Sequence, residues 1–212
     1  MIKYETEIEN QRILRHEIKN EFRIIRAKIC DDQANKEIIE YIDEIVKDKY
    51  KMNQEEYAKF GYLPANGIKG LCYFKVQEAE TQGIKVAVNI SKKIKDSVIY
   101  ELNVKQQRDF GRILGVFLDN AIEASLETKK KQIGIEAYAS TNKEFKMIIT
   151  NTYENNLDKN RIGKERYSTK GMTRGHGLLL VKKLVESNSI FEIKTEIQEK
   201  IYVQTIIIKN DN

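Results

Sequence analysis

The first residue whose side chain could take part in a reaction is His16, which lies off the apolar stripe of an amphipathic N-terminal segment. Leu14 and Ile18 belong to that stripe, and because two helical steps rotate the chain by ~200°, the imidazole points away from it. Glu17 is adjacent, and Asn20 lies one turn further along the same face. A solvent-facing imidazole beside a carboxylate can act as a nucleophile, because the carboxylate holds its N–H and accepts its proton. The alternative is an ordinary surface histidine on a charged helix.

A second group of polar residues interrupts the apolar segment 113–125. Asp119, Asn120 and Glu123 are three or four residues apart, so they form one polar face of a predicted helix. An amide oxygen with nearby carboxylates suits a hard cation such as Mg²⁺, which keeps waters and shares phosphate oxygens. The rest of the segment is typical of a core helix.

A third group, residues 168–180, combines small and basic residues and leads into a helix predicted to begin near Gly177. The start of such a helix offers backbone N–H groups to a phosphate, and Lys170 and Arg174 add positive charge. The segment matches neither the P-loop nor the Rossmann pattern. A glycine-containing helix cap with flanking charge is the alternative. His176 has no His or Cys companion at metal spacing, so no zinc site is expected.

The elements that must position these groups fall into two parts. Residues 2–60 contain two apolar stripes at helical spacing, which predict an antiparallel helical hairpin. Pairing with a second copy into a four-helix bundle would bury both stripes. The segment Gly61–Gly67 holds the single proline and is the predicted boundary and hinge.

Beyond this boundary the apolar period alternates between helical and extended. It predicts helices over 68–79, 104–126 and 177–186, and strands over 84–90, 133–137, 145–149, 190–197 and 201–208. Most of these strands are hairpin neighbours. The predicted fold is therefore α+β, a helical hairpin followed by a two-layer α/β sandwich.

Composition excludes several classes of protein. The 212 residues are 41% hydrophobic and 33% charged, as expected for a globular chain. Cys30 and Cys72 form no CxxC pair, which excludes a zinc ribbon and a disulfide scaffold and favours reduced cytosolic thiols. The net charge of +5 is spread along the chain, so no direct nucleic-acid partner is expected. No apolar stretch approaches the ~18 residues of a membrane span and no signal peptide opens the chain, so a soluble chain is predicted.

Taken in this order, the three groups resemble the sensor histidine kinases of the GHKL superfamily, and most closely the Agr-type quorum-sensing receptor kinases. The resemblance runs from about Gln11 to Ile208. The similar motifs are the phosphoacceptor box at 14–20, the N box at 118–125, and the ATP lid with its glycine box at 168–180. The resemblance implies a dimerising phosphotransfer hairpin over residues 1–62 and a GHKL ATP-binding catalytic domain over 63–212.

The resemblance also implies an activity, that of an ATP-dependent protein-histidine kinase of a two-component system. His16 would take the γ-phosphoryl group of Mg-ATP and pass it to an aspartate of a response-regulator receiver domain. Glu17 would orient the imidazole or act as its base, and Asn20 would position water for dephosphorylation. A homodimer through the N-terminal helices is implied, with membrane attachment only through a sensor segment absent from this chain.

For the cofactors, ATP and Mg²⁺, the resemblance implies a binding set. Asn120 would hold Mg²⁺ against the triphosphate. Asn151 stands at the end of a predicted strand, at the position where the wider superfamily has an aspartate that recognises the adenine amino group. The remaining implied nucleotide-binding residues are Glu123, Lys170, Arg174, Gly175, Gly177 and Leu178.

Three departures from the superfamily pattern matter. The D-x-G-x-G box is replaced by a sequence beginning at Asn151, and Leu179 stands where a glycine is usual, so a catalytically weakened nucleotide-binding and dimerisation module is an alternative. A helical dimerisation protein with an unrelated α/β domain is another. Val116, four residues before Asn120, stands where hydrolysing members keep a catalytic glutamate. Because no carboxylate activates water there, the substitution favours a kinase over an ATPase.

Overall fold

The computed structural model describes residues 59–64, 67–154 and 176–209. The chain divides into two compact units, Met1–Lys51 and Met52–Asn212, and all the described residues belong to the second. Several predicted features lie outside the described residues: the N-terminal hairpin and most of the segment 168–180, with His16, Glu17, Asn20, Lys170, Arg174 and Gly175.

Five strands form one mixed sheet in the described part of the chain. They are β1 (Lys85–Ile90), β2 (Gln132–Thr141), β3 (Glu144–Thr152), β4 (Phe191–Gln198) and β5 (Ile201–Lys209). Their spatial order is β1-β2-β3-β5-β4. The β1–β2 pair is parallel and the other three pairs are antiparallel, which confirms the predicted preponderance of hairpin neighbours.

The described α-helices are α1 (Ile68–Thr81), α2 (Val104–Leu126) and α3 (His176–Glu186). Three short 3₁₀ segments, which the sequence pattern does not predict, span Phe60–Tyr62, Lys92–Asp96 and Val98–Tyr100. Helix α2 begins at a capping box, in which the side chains and backbones of Asn103 and Gln106 bond reciprocally. The predicted bounds of α2 are therefore confirmed, with a cap that explains its start.

The core lies between the helices and one face of the sheet. Phe110 of α2 packs edge-on against Phe145 of β3, with ring centroids 6.0 Å apart, and stacks with Phe191 of β4 at 6.4 Å. All three rings are buried, and each contributes roughly 1.5–3 kcal/mol on removal from water. The described unit is the predicted two-layer α/β sandwich.

The chain is anchored to this unit from its first described residues. Phe60 and Leu63 are buried in the core. The Lys59 ammonium donates to the Val88 carbonyl at 2.8 Å, and the Tyr100 hydroxyl donates to the Tyr62 carbonyl at 2.7 Å. The start of the predicted hinge at Gly61–Gly67 is thus held by the domain, because bending there would expose Phe60.

The opposite face of the sheet is covered by charged side chains near its β4 edge. Glu192 of β4 forms ion pairs with Lys209 at 2.7 Å and Lys194 at 3.2 Å. Ile207, paired in register with Lys146 and Glu192, is only 2% exposed. The aliphatic stems of lysine and glutamate side chains can cover an apolar residue while their charges stay in water, so this face needs no second helical layer.

Cys72 of α1 is buried in the helix–sheet core. Burial raises the pKa of its thiol to about 12, against a smaller opposing effect of a backbone hydrogen bond. The thiol therefore stays protonated at neutral pH and acts as a small apolar side chain.

Candidate functional site

Helix α2 carries the second predicted polar group at the surface of the helical layer. It buries Phe117, Leu118 and Ala121 against the sheet, which leaves Asn120 half-buried and Glu123 exposed at its edge. Both predicted nucleotide-binding residues of this helix are thus accessible to a ligand.

The carboxylate of Asp119 points toward α1, away from Asn120. Its Oδ1 lies 2.7 Å from the Lys75 ammonium of α1, which also contacts Glu78 at 2.6 Å. Partial burial lowers the pKa of Lys75, but its hydrogen bonds to Asp119 and Glu78 outweigh this effect, so the pKa of Lys75 is raised overall. The three-residue polar face expected from spacing is therefore reduced to Asn120 and Glu123, because Asp119 joins α1 to α2.

Gly177 brings the start of α3 against α2. A Cβ atom at this glycine would lie 2.9 Å from Cγ1 of Val116, closer than real Cβ atoms approach a neighbour. Val116 precedes Asn120 by one helical turn, so the two side chains are neighbours on α2, with Cβ atoms about 5–6 Å apart. The missing side chain at Gly177 thus lets the first turn of α3 lie beside Asn120.

Replacing Gly177 with alanine is expected to destabilise this arrangement. Alanine favours a helix by about 1 kcal/mol over glycine, but overpacking against Val116 costs about 1–3 kcal/mol and should dominate. The unfolding temperature of Gly177→Ala should therefore be lower than that of wild type. The double variant Gly177→Ala/Val116→Ala should restore the wild-type unfolding temperature. Gly115→Ala is the matched control, because its new Cβ would meet only Leu71 at 3.9 Å. An unchanged unfolding temperature in Gly177→Ala would contradict the tight contact.

Asn151 lies at the end of β3 on the face that meets the helices. It is 4% exposed and alternates with the buried residues Phe145, Met147 and Ile149. Its amide nitrogen donates to the carbonyl of Thr152 at 2.9 Å. One N–H of the amide is therefore engaged locally.

Hydrogen bonds join the end of β3 to the end of α2. The hydroxyls of Thr128 and Thr152 are 3.0 Å apart, and the Ser125 hydroxyl donates to the Gln132 carbonyl of β2 at 3.1 Å. Asn151, next to Thr152, is therefore placed beside the C-terminal turns of the helix that carries Asn120.

A cavity of about 320 Å³ lies between α3 and the helix-facing side of β4 and β5. Leu178, the last of the predicted binding residues, lines it, and Leu178 and Leu180 pack against the core. Leu179 does not line this cavity. Tyr202 and Gln204 of β5 also line it. Sequence reasoning missed both, although Gln204 is a polar residue on the strand face that carries Ile206 and Ile208.

The described part of the chain thus brings together four of the predicted site residues, on the helix-facing side of one sheet. Asn120 and Gly177 meet through Val116, Leu178 follows Gly177 into the cavity, and Asn151 pairs in register with the cavity residue Tyr202. Glu123 continues the Asn120 face of α2. The binding roles of all these residues stay predictions.

Comparison with known proteins identifies similar domains. The model of the GHKL domain family matches residues 106–209, from the first turn of α2 to the end of β5. Comparison with curated proteins gives no match. The chain is similar to the catalytic domain of the histidine kinase ThkA in a nucleotide-free form, with 18% identity and a TM-score of 0.52, over 67% of this chain and 89% of that one. It is also similar to full-length ShkA in complex with AMPPNP, with 16% identity and a TM-score of 0.51, over 69% of this chain and 30% of that one.

These matches show the fold of the described part of the chain. Residues 106–209 match the model of the GHKL domain family, and the mixed α/β fold is similar to that of the catalytic domain of the histidine kinase ThkA. None of the described helices is long and apolar enough to cross a membrane.

Proposed function

We propose that this chain is an ATP-dependent protein-histidine kinase, the catalytic region of a two-component sensor of the Agr-type branch. The contact between Gly177 and Val116 is the observation that carries the proposal, because it sets the N-terminal end of α3 beside Asn120. Helix N-termini attract phosphate through free N–H groups and a positive dipole end. Lys170, Arg174 and Gly175 precede this helix and supply the remaining phosphate contacts.

The residues around Asn120 fit a magnesium ion that is held mostly by phosphate and water. Among the described residues, no group of three His, Cys, Asp or Glu side chains forms a metal cluster. Mg²⁺ suits such a site, since it keeps several waters and needs only one or two protein ligands beside the phosphates. Asn120 would hold it through the amide oxygen. When bound, Mg²⁺ supplies charge neutralisation on the phosphate oxygens.

The surroundings of Asn120 favour transfer over hydrolysis. One turn before it, the methyl groups of Val116 fill the space against Gly177, where a water-activating carboxylate would have to stand. Asp119 is paired with Lys75 and directed toward α1. Neither residue therefore acts as a general base for a water attacking the γ-phosphate.

The acceptor in this proposal is His16. Its imidazole nitrogen attacks the γ-phosphorus in line, so that a P–N bond forms while the P–O bond to the β-phosphate breaks and ADP leaves. Glu17 orients the imidazole and takes its proton. The phosphoryl group then passes to an aspartate of a response-regulator receiver domain, and Asn20 positions water when the partner is dephosphorylated. Residues 1–62 are the proposed dimerising segment that carries His16.

One observation favours a second candidate, a nucleotide-binding and dimerisation module of the same fold with weakened catalysis. The Asn151 amide nitrogen already donates to the Thr152 carbonyl, so the residue in the adenine-reading position has one fewer donor for the base. Weak binding of the base would lower the occupancy of the site.

Incubation of the full chain with γ-labelled ATP and Mg²⁺ tests the proposal. We expect label that is stable in base and lost in acid, as is characteristic of a phosphoramidate, together with a rise in unfolding temperature on adding ADP, because a ligand that binds only the native state stabilises it. Stabilisation without label would favour the weakened module. The absence of both effects would overturn the assignment of a nucleotide site.

A further inference from the structure

A basic surface lies where the chain leaves β1. The 3₁₀ segment Lys92–Asp96 buries Ile94 completely in the core and leaves its lysines exposed on the outside. These lysines, which we call the lysine patch, are Lys92, Lys93 and Lys95. The segment carries three ammonium groups against the single carboxylate of Asp96, so its outer surface is positively charged.

Two of these ammonium groups converge on one tyrosine ring. Nζ of Lys92 lies 5.7 Å from the centre of the Tyr62 ring, and Nζ of Lys95 lies 5.4 Å from it. The ring attracts each cation, but the shared ring also brings two like charges near each other. Within the described part of the chain, neither ammonium group forms an ion pair with a carboxylate. Both charges are therefore available to an anion from outside the domain.

A second tyrosine and a fourth lysine extend this surface. Tyr100 is 42% exposed, and its hydroxyl donates to the carbonyl of Tyr62 at 2.7 Å. The Val98 N–H donates to the Asn142 carbonyl at 2.9 Å, which brings the turn between β2 and β3 alongside. Lys143 in that turn is exposed. Four exposed lysines and two tyrosine rings thus lie at one end of the sheet.

The lysine patch is remote from the candidate nucleotide site. Asn151 pairs in register with Ile133 near the start of β2, whereas the turn that carries Lys143 follows Thr141 at the end of β2. Eight strand residues separate these two levels, which corresponds to about 26 Å. The lysine patch therefore belongs to a different surface from the residues proposed to hold the nucleotide.

We propose that the lysine patch binds the surface of an anionic lipid bilayer. Lysine ammonium groups are compact charges on flexible stems, which suit the diffuse negative charge of phospholipid headgroups. Tyrosine is favoured at the boundary between headgroups and hydrocarbon, because its ring is apolar and its hydroxyl is polar. A protein partner fits less well, since protein interfaces are depleted in lysine and depend on apolar anchors.

The strength of this binding follows from the number of lysines. Each lysine near an anionic surface raises the affinity about fivefold, so four of them correspond to half-saturation at about 1 mM accessible lipid. Binding of this strength orients a domain that is already held near a bilayer. The end of the sheet with the lysine patch would face the lipid, and the opposite end with Asn151 would face away from it.

Sedimentation of the full chain with vesicles tests this inference. At about 1 mM accessible lipid, wild-type protein should sediment with phosphatidylcholine vesicles that contain about one-third phosphatidylglycerol, and not with pure phosphatidylcholine. Raising the salt concentration from about 0.1 M to about 0.5 M should release it, because the charges are screened. The variant Lys92→Gln/Lys95→Gln should lower the partition coefficient about thirtyfold, since two lysines are lost.

The matched control is Lys129→Gln/Lys130→Gln, which removes the same charge from two exposed lysines in the turn before β2. This control and Lys92→Arg/Lys95→Arg should both sediment like wild type. Titration calorimetry with ADP should give the same affinity for Lys92→Gln/Lys95→Gln as for wild type, which also confirms that the variant is folded. Absence of wild-type binding to anionic vesicles, or an equal loss in the two glutamine variants, would overturn the role of the lysine patch and leave the proposed kinase intact.

Discussion

Replacing His16 with glutamine is expected to abolish incorporation of label from γ-labelled ATP. Glutamine is of similar size and polar, but its amide nitrogen is not nucleophilic, so no P–N bond can form. Binding of ADP should be unchanged, because His16 lies outside the nucleotide-binding unit. Filter-bound radioactivity measures the incorporation of label, and titration calorimetry measures the affinity for ADP.

The chain offers a matched control, because it contains only two histidines. His176→Gln should remain labelled, and its label should keep the same stability in base. If His16→Gln were labelled as strongly as wild type while His176→Gln were not, the acceptor would be His176 and the role of the N-terminal helix would have to be abandoned.

Replacing Asn120 with alanine is expected to remove the magnesium-dependent part of nucleotide binding. In the proposed site the amide oxygen of Asn120 is the protein ligand of Mg²⁺, and losing it should weaken binding of ATP in the presence of Mg²⁺ by about 10–100-fold. Binding in the presence of EDTA should change much less. Affinities measured with and without Mg²⁺ separate these two effects.

Asp119→Asn provides the comparison for Asn120→Ala. The two residues are adjacent, but Asp119 is paired with Lys75 and turned toward α1, so its variant should keep the magnesium dependence. Asp119 is half-exposed and Lys75 keeps its ion pair with Glu78, so losing this pair should cost about 1 kcal/mol and the fold should persist. Equal loss of magnesium dependence in both variants would show that Asp119 matters to the cation as much as Asn120 does, and would contradict the assignment of Asn120 as the protein ligand.

The secondary structure of the described unit could be predicted from the sequence because its apolar periods are strong. Helix α2 combines a clear 3.6-residue period with a capping box at Asn103, and both of its ends were predicted. β5 was predicted to within one residue at its end, although Ile206, Ile207 and Ile208 are all buried and interrupt the alternation. Local patterns suffice here because burial of one face dominates the free energy of each element.

The contacts that shape the candidate site could not be predicted in this way, since they join residues distant in sequence. Spacing places Asp119 on the same face as Asn120, but only packing of α1 against α2 shows that Lys75 takes the carboxylate. The same holds for Gly177. Its place in the sequence predicts a phosphate contact, but only the packed structure shows that it lies against Val116. Gln204 carried no motif, and its place in the cavity lining is visible only once α3 packs over β5.

The charged side chains at the β4 edge have a consequence for association between copies. An exposed edge strand is a template for strand addition, and inward-facing or alternating charges are one means of blocking it. Glu192, Lys194 and Glu196 alternate along β4, so a second β4 laid beside the first in register would bring like charges together and disrupt the ion pairs of Glu192. This edge should therefore resist in-register addition of a second β4 at high protein concentration, which limits aggregation into extended sheets.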